Sequence, residues 1–343
     1  MRAAFVTVGD TARLTGGYLY HARVFPRLAK FGIEVEEMVA SGASVEEQES
    51  GVEKLRALDP KDFDVVVVDA LARVVCATFI GDWRDSRPVV AMVHELPSVA
   101  APEENEARER DFEDALLKSD LLIAVSGHGR SALEDRGVPF GRIRVVPPGF
   151  DGLGMVRETR RGGPPVALCV AQWIERKGIL DLILAWKIAE VPDASLHLVG
   201  ETNADPEYSA RVIEAIGDDA SVKVSGTLDD KALASAYAQS DLFVLPSRYE
   251  GYGIVYAEAL SFSLPIVACD VGPVPELVGE EVAVLVPPGD AGELARALRH
   301  LLSDEGLRRR MSEAALRRAE NLPRWEDATR GFAEVLKEAA GRG

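Results

Sequence analysis

The stretch Asp241-Leu242-Phe243-Val244-Leu245-Pro246-Ser247-Arg248-Tyr249-Glu250-Gly251-Tyr252-Gly253-Ile254-Val255-Tyr256-Ala257-Glu258-Ala259-Leu260 changes character in its middle. Asp241 to Pro246 is a continuous apolar run closed by proline, the mark of a buried strand. From Ile254 the spacing turns helical, with Ile254, Ala257 and Leu260 on one face. A strand that breaks into glycines and restarts as a helix presents free backbone N–H groups and the positive end of a helix dipole, a setting that holds phosphate. Glu250 in the turn and Glu258 farther along the helix add hydroxyl readers at two separate places. Together they suit a ligand with an anionic middle and a hydroxyl-rich group at each end, the build of a nucleotide sugar.

The same strand–helix alternation runs outward in both directions. Strands are expected at Ala3–Val8, Glu34–Val39, Val65–Asp69, Val89–Val93, Leu121–Val125 and Ile143–Val146. Helical spacing lies between them, with Val24, Leu28 and Phe31 in the first helix and Phe112, Leu116 and Leu117 in another. Pro26 predicts a kink or a delayed start of that first helix. Around Asp151–Pro165 the periodicity lapses into Gly, Arg and Pro, a linker signature. It restarts with strands expected at Val166–Val170, Leu196–Val199, Val222–Ser225, Leu242–Leu245, Ile266–Ala268 and Val282–Val286. Two doubly wound parallel α/β units follow, over 1–150 and 166–322, with ligands expected beyond the carboxyl ends of the strands in a cleft between facing units. A last helix near Trp325–Lys337 is free, on pattern alone, to lie on either unit.

With 343 residues the chain is better divided into two cores than built on one. No apolar stretch approaches a membrane span, and the N-terminus enters a strand without a signal-peptide pattern. Cys76, Cys169 and Cys269 are far apart and lack metal-ligand spacing, so reduced, buried thiols in a cytoplasmic protein are expected. The formal charge of −17 argues against a nucleic-acid surface and against adsorption to anionic lipid.

Other candidates follow strand ends. Gly16-Gly17 lies where the first loop enters the first helix and lets backbone approach a ligand. Ala171-Gln172-Trp173-Ile174-Glu175-Arg176-Lys177-Gly178 follows the first strand of the second unit, placing Lys177 where an anion would lie. A solvated surface lysine is the plainer reading, but the location and Gly178 favour a site. His94 follows the fourth strand and faces the expected cleft; His128 is a weaker candidate of the same kind. His21, His197 and His300 read as structural. Asp62-Phe63-Asp64 has the look of a metal-holding acidic pair but precedes its strand, at the edge opposite the ligand, so capping is expected and no metal site. A glycoside-hydrolase pair needs carboxyls about 5–9.5 Å apart. Eight helical residues span roughly 12 Å, so two readers of one long ligand fit Glu250 and Glu258 better.

The Glu-x7-Glu segment, Ala257-Glu258-Ala259-Leu260, Pro265-Ile266-Val267-Ala268 and the Lys177-Gly178 loop resemble the retaining glycosyltransferases of family 4. Gly16-Gly17, His94, Val125-Ser126 and Val145-Val146-Pro147-Pro148-Gly149-Phe150-Asp151 extend that resemblance over nearly the whole chain. It implies a GT-B fold of two Rossmann-like domains facing a central cleft, with the final helix, about 325–343, packed back on the first. It implies a hexosyltransferase that moves a hexose from a UDP-, GDP- or ADP-linked donor to a hydroxyl acceptor of unidentified kind, with retained configuration and neither metal nor cofactor. Glu250 would bind donor-sugar hydroxyls, Glu258 the ribose and Lys177 the diphosphate. The backbone of Gly253, Ile254 and Val255 and of Gly16-Gly17 would help hold the phosphates. His94 would meet the donor sugar near the reacting centre, and Gly226-Thr227-Leu228 would lie near the base.

Gln172 stands where relatives commonly carry arginine, a second cation on the diphosphate; either Arg176 or another cation compensates, or the donor is bound more weakly. Ser263 and Gly272-Pro273 also depart from the pattern, and Glu95 stands where relatives often carry aspartate. A catalytically degenerate, sugar-nucleotide-binding scaffold is the competing reading, with Gln172 its support; an epimerase on the same fold ranks lower, needing no such glutamate motif. Segments 10–15 and 96–105 are the acceptor-side loops, the latter, rich in proline and acid, reading as a mobile surface loop.

Overall fold

The computed structural model describes residues 1–9, 16–40, 47–48, 51–100, 106–153 and 162–341. Among them the chain divides into two compact units, Met1–Gly149 with Pro323–Gly343, and Phe150–Leu322. The expected loop at 10–15, residues 101–105 of the other acceptor-side loop and 154–161 of the linker lie outside the described residues.

The first unit carries a six-stranded sheet of β1 (Arg2–Val8), β2 (Glu34–Ala40), β3 (Val65–Asp69), β4 (Val89–Val93), β5 (Leu121–Ala124) and β6 (Ile143–Val145), in the order β2-β1-β3-β4-β5-β6. All pairings are parallel, with Phe5 opposite Val67 and Ala91 opposite Leu122. The central strands β3, β4 and β5 are buried along their whole length because helices cover both faces. Edge strand β2 instead exposes Glu34, Glu36 and Glu37, charges that discourage pairing with another chain. The second unit repeats the plan with β7 (Val166–Val170), β8 (Ser195–Val199), β9 (Val222–Val224), β10 (Leu242–Leu245), β11 (Ile266–Cys269) and β12 (Ala283–Val286), ordered β12-β11-β10-β7-β8-β9.

In both sheets the strand order reverses once, between β1 and β3 and between β7 and β10. At such a switch point the loops leaving neighbouring strands diverge to opposite faces and open a crevice at the carboxyl edge. The loops after β7 and β10 are the Gln172–Gly178 and Ser247–Gly253 segments.

Pro26 does not delay the first helix, which runs unbroken from Gly16 to Leu28 with the proline inside it. It sits in the last turn, after which the chain tightens into a 3-10 turn, Ala29–Phe31, and stops at Gly32, whose φ of 73° lets its N–H reach Ala29 O. The final helix, Trp325–Ala340, packs on the first unit: Trp325 and Phe332 meet Tyr20, Phe332 meets Phe25, and Glu338 pairs with Arg144. The segment read as a mobile loop is partly ordered, since Pro97–Ala100 is a helical turn whose Ser98 donates to the buried carboxylate of Glu113 from its backbone N–H (2.8 Å) and its hydroxyl (2.6 Å). Arg136 closes that cluster on Glu113. The three cysteines are free and buried, and no described helix is long and apolar enough to cross a membrane.

Candidate functional site

In the second unit the switch point brings the two predicted loops into direct contact. Arg248 N–H donates to Arg176 O at 2.8 Å, and Arg176 Nη1 donates to Tyr249 O at 3.0 Å. The contact depends on Gly178. Its φ is +67°, and a Cβ there would run into Pro246 O, well inside van der Waals contact. With the loops so close, Lys177 Nζ lies 2.7 Å from Glu250 Oε1, which also accepts from the Ser247 hydroxyl at 2.6 Å. Glu250 is buried. Burial pushes its carboxyl up, but Lys177, Arg176 and the two hydrogen bonds outweigh it and hold the group below the usual carboxylate range. It therefore stays ionised at neutral pH and fixes the ammonium in place.

Gly253, with φ +93°, caps the helix Ile254–Ser261. A Cβ there would come 2.5 Å from Tyr256 Cδ2, so the sharp entry needs glycine. The N–H groups of Ile254 and Val255 belong to the first turn, where a helix supplies no internal acceptor. Glu258 is buried in the following turn and accepts from the Tyr237 hydroxyl at 2.7 Å. Gln172 donates through Nε2 to Glu201 Oε2 at 2.6 Å. Lys177, Arg176, Glu250 and the helix start thus converge, and the Gln172 amide is engaged with an acid beside them.

The remaining predicted residues are in the first unit. Gly16 and Gly17 open the first helix, and a Cβ on Gly17 would press on His94 Cδ2 at 3.3 Å. His94 Nε2 faces His21 Nε2 at 3.0 Å, and burial lowers the His94 pKa to about 4. His21, read from sequence as structural, is buried against His94 and Asp69. One ligand atom from each of His21, Asp69 and His94 lies within 4.8 Å of the others, a two-imidazole, one-carboxylate set of the kind transition metals accept. His128 stands in the first turn of the helix Gly127–Asp135, capped by Ser126. The acidic decoy does cap: Asp64 Oδ2 accepts Arg2 N–H at 2.7 Å at the amino ends of β1 and β3. Ser247, Tyr237, Asp69 and His21 are the site neighbours that pattern did not single out. Only Ser247, three residues before Glu250 in the same turn, carried a usable signal.

Residues 155–318 match the family model of glycosyl transferases group 1, and 51–151 that of glycosyltransferase family 4. The chain is 32% identical over 228 residues to the MMP α-(1→4)-mannosyltransferase of Mycolicibacterium hassiacum, a match taking in 65% of this chain and 55% of that relative. The chain thus spans about half of that enzyme's length. Sucrose-phosphate synthase from Thermosynechococcus elongatus superposes over all of both chains with a TM-score of 0.83 at 23% identity. Anabaena HepE in complex with UDP-glucose gives 0.77 at 20%, covering 98% of this chain and 100% of that one. At these identities the structural likenesses establish the fold, GT-B.

Proposed function

We propose, for a chain that belongs to the group 1 glycosyltransferases of family 4, transfer of a hexose from a UDP-, GDP- or ADP-linked donor to a hydroxyl acceptor, with retained configuration and without a catalytic metal. The observation that carries this reading is the convergence of Lys177 and Glu250 from two loops at the switch point, beside the start of the Ile254–Ser261 helix. A hexosyl donor agrees with the mannosyltransferase named among the relatives, and a nucleoside-diphosphate donor with the UDP-glucose held by HepE.

In this reading Lys177 and the N–H groups of Ile254 and Val255 stabilise the charge that grows on the leaving diphosphate. Glu250 holds sugar hydroxyls and positions Lys177 through the 2.7 Å contact. Glu258, oriented by Tyr237, binds the ribose. His94 and the Gly16-Gly17 backbone are assigned to the donor sugar and the phosphates. The acceptor hydroxyl attacks from the leaving-group face and its proton passes to the departing phosphate, so no protein nucleophile is required; holding the two reactants together supplies much of the remaining acceleration.

The second reading, a binding subunit without turnover, is favoured by the engagement of Gln172 with Glu201, which leaves no cation at that position. Incubation with a panel of nucleotide sugars, with and without chelator and acceptors, separates the two. A transferase releases nucleotide and yields an α-linked product from an α-linked donor by NMR, unaffected by chelation. A scaffold binds and releases none. Failure to bind every UDP-, GDP- and ADP-hexose would end both readings.

A further inference from the structure

Beneath the carboxyl ends of β1, β3 and β4 a chain of polar groups lies in an apolar setting. Asp69, fully buried, closes β3. Its Oδ1 accepts the backbone N–H of Leu71 at 3.0 Å and its Oδ2 accepts the Thr7 hydroxyl at 2.8 Å. Facing Oδ2 at 3.8 Å is Nδ1 of His21, an atom buried without a hydrogen-bond partner. The His21 ring is fixed by stacking on Phe25, with centroids 5.1 Å apart, and by the edge of Phe5. Its other nitrogen, Nε2, meets His94 Nε2 at 3.0 Å. His94 Nδ1 has no hydrogen-bond partner among the described residues.

We propose that Asp69, acting through His21, sets the tautomer of His94 so that His94 Nδ1 carries a lone pair and serves as a hydrogen-bond acceptor. Two neutral imidazoles joined Nε2 to Nε2 share one proton between those atoms, so one ring must donate and the other accept. Which one is decided at the far end of His21. A carboxylate beside Nδ1 favours a proton on Nδ1, which leaves His21 Nε2 bare. His94 Nε2 must then donate to it, and the neutral His94 ring has no proton left for Nδ1. Asp69 and His21 are positioning residues here; His94 is the group that meets the ligand. Resting on the function proposed above, the ligand group is a donor-sugar hydroxyl that gives its hydrogen to His94 Nδ1.

An amide at position 69 reverses the sense. In Asp69→Asn the fixed N–H of Leu71 demands an oxygen at the Oδ1 place, so the amide NH2 takes the Oδ2 place, where the Thr7 hydroxyl can rotate to accept. That NH2 faces His21 Nδ1 and favours a bare nitrogen there. His21 Nε2 then donates to His94, and His94 Nδ1 becomes protonated.

The test is long-range 1H–15N NMR of histidine-labelled, ligand-free protein at pH 8, with the five histidines assigned by substitution. The expected wild-type spectrum shows His94 protonated on Nε2 with a bare Nδ1, and Asp69→Asn shows the opposite. His94 protonated on Nδ1 in the wild type overturns the proposal, as does an unchanged tautomer in a folded variant. So do signals of both rings locked by a bound metal and released by chelator. The wild-type spectrum alone decides the matter if the variant fails to fold. In transfer assays Asp69→Asn is expected to lower kcat roughly tenfold to a hundredfold, since a hydroxyl then faces a donor, with a smaller change in KM. A reversed tautomer with unchanged kcat would leave the relay standing and remove His94 from the donor-sugar site.

Discussion

Replacing Lys177 by methionine tests the buried pair on which the candidate site is built. The Lys177 and Glu250 side chains retain 14% and 6% of their exposure, and Nζ and Oε1 are 2.7 Å apart. Two unit charges about 4 Å apart attract by about 4 kcal/mol at an effective dielectric of 20, close to what desolvating them costs, so the intact pair is nearly neutral for stability. Removing only Lys177 leaves Glu250 buried with the Ser247 hydroxyl and the field of Arg176, a loss of about 3 kcal/mol. Glu250→Gln should cost only about 1 kcal/mol, because the ammonium can lean toward solvent. If the pair is coupled, Lys177→Met with Glu250→Gln loses about 2 kcal/mol, short of the sum by about 2. Hydrogen exchange of peptides from β7 and β10, read by mass spectrometry, reports the opening free energy of that unit without requiring the whole chain to unfold in one step. Turnover of Lys177→Met should fall by about 100- to 1,000-fold under the proposed function. Single losses that simply add in the double variant would refute the claim that Glu250 and Lys177 act as one unit.

Gly178→Ala should destabilise the second unit by about 3 kcal/mol, from positive-φ strain plus the clash with Pro246 O. Gly289→Ala, where φ is +77° and no atom lies within 4 Å, should lose only about 1 kcal/mol, from strain alone. Equal losses in hydrogen exchange would show that the two loops are not held by close approach. Tyr237→Phe removes the 2.7 Å bond to Glu258 and should weaken donor binding about tenfold, with a smaller loss for a 2′-deoxyribose donor; calorimetry with both donors checks it. Burial raises the Asp69 pKa to about 7 against the pull of Leu71, Thr7 and Arg73, with His21 and Cys76 also facing it. Because the folded protein holds this proton more tightly than the unfolded chain, the contribution of Asp69 is full below about pH 4 and falls by a few kcal/mol as pH rises to about 7. Relative to wild type, Asp69→Asn should therefore gain stability at pH 8 and little at pH 4, and a pH-independent difference in urea unfolding contradicts the assignment.

The strands were legible because each is a short apolar run with a turn on either side, and Val65–Asp69, Val89–Val93, Val166–Val170 and Leu242–Leu245 fall where periodicity puts them. Strand ends elsewhere differ by a residue or so, which is where ladder pairing frays. Lys177 and Glu250 could be picked out because strand-end loops, glycines and charges coincide in one short segment. Their contact could not, since it depends on the strand order that makes β7 and β10 neighbours. His21 shows the limit more sharply. A histidine on the apolar face of a helix reads as core, and only the placement of β3 beside β1 sets Asp69 against it, 48 residues further along the chain. Tyr237 and Glu258 come from different helices and share no local pattern.

The charge at the second unit's switch point has a consequence for how an anion would be held there. Gln172 contributes none and is spent on Glu201, while one arm of Arg176 is spent on Tyr249 O. Lys177 is already paired with Glu250, so the net field that the pair offers a distant phosphate is small. A diphosphate close by would instead draw on the direction of the ammonium and on the N–H groups at Ile254 and Val255, both short-ranged and both set by backbone turns at Gly178 and Gly253. Under the proposed function, binding then depends on geometry more than on long-range attraction. Moderate salt should leave donor affinity nearly unchanged, because contacts made inside a screening length are little affected by added ions.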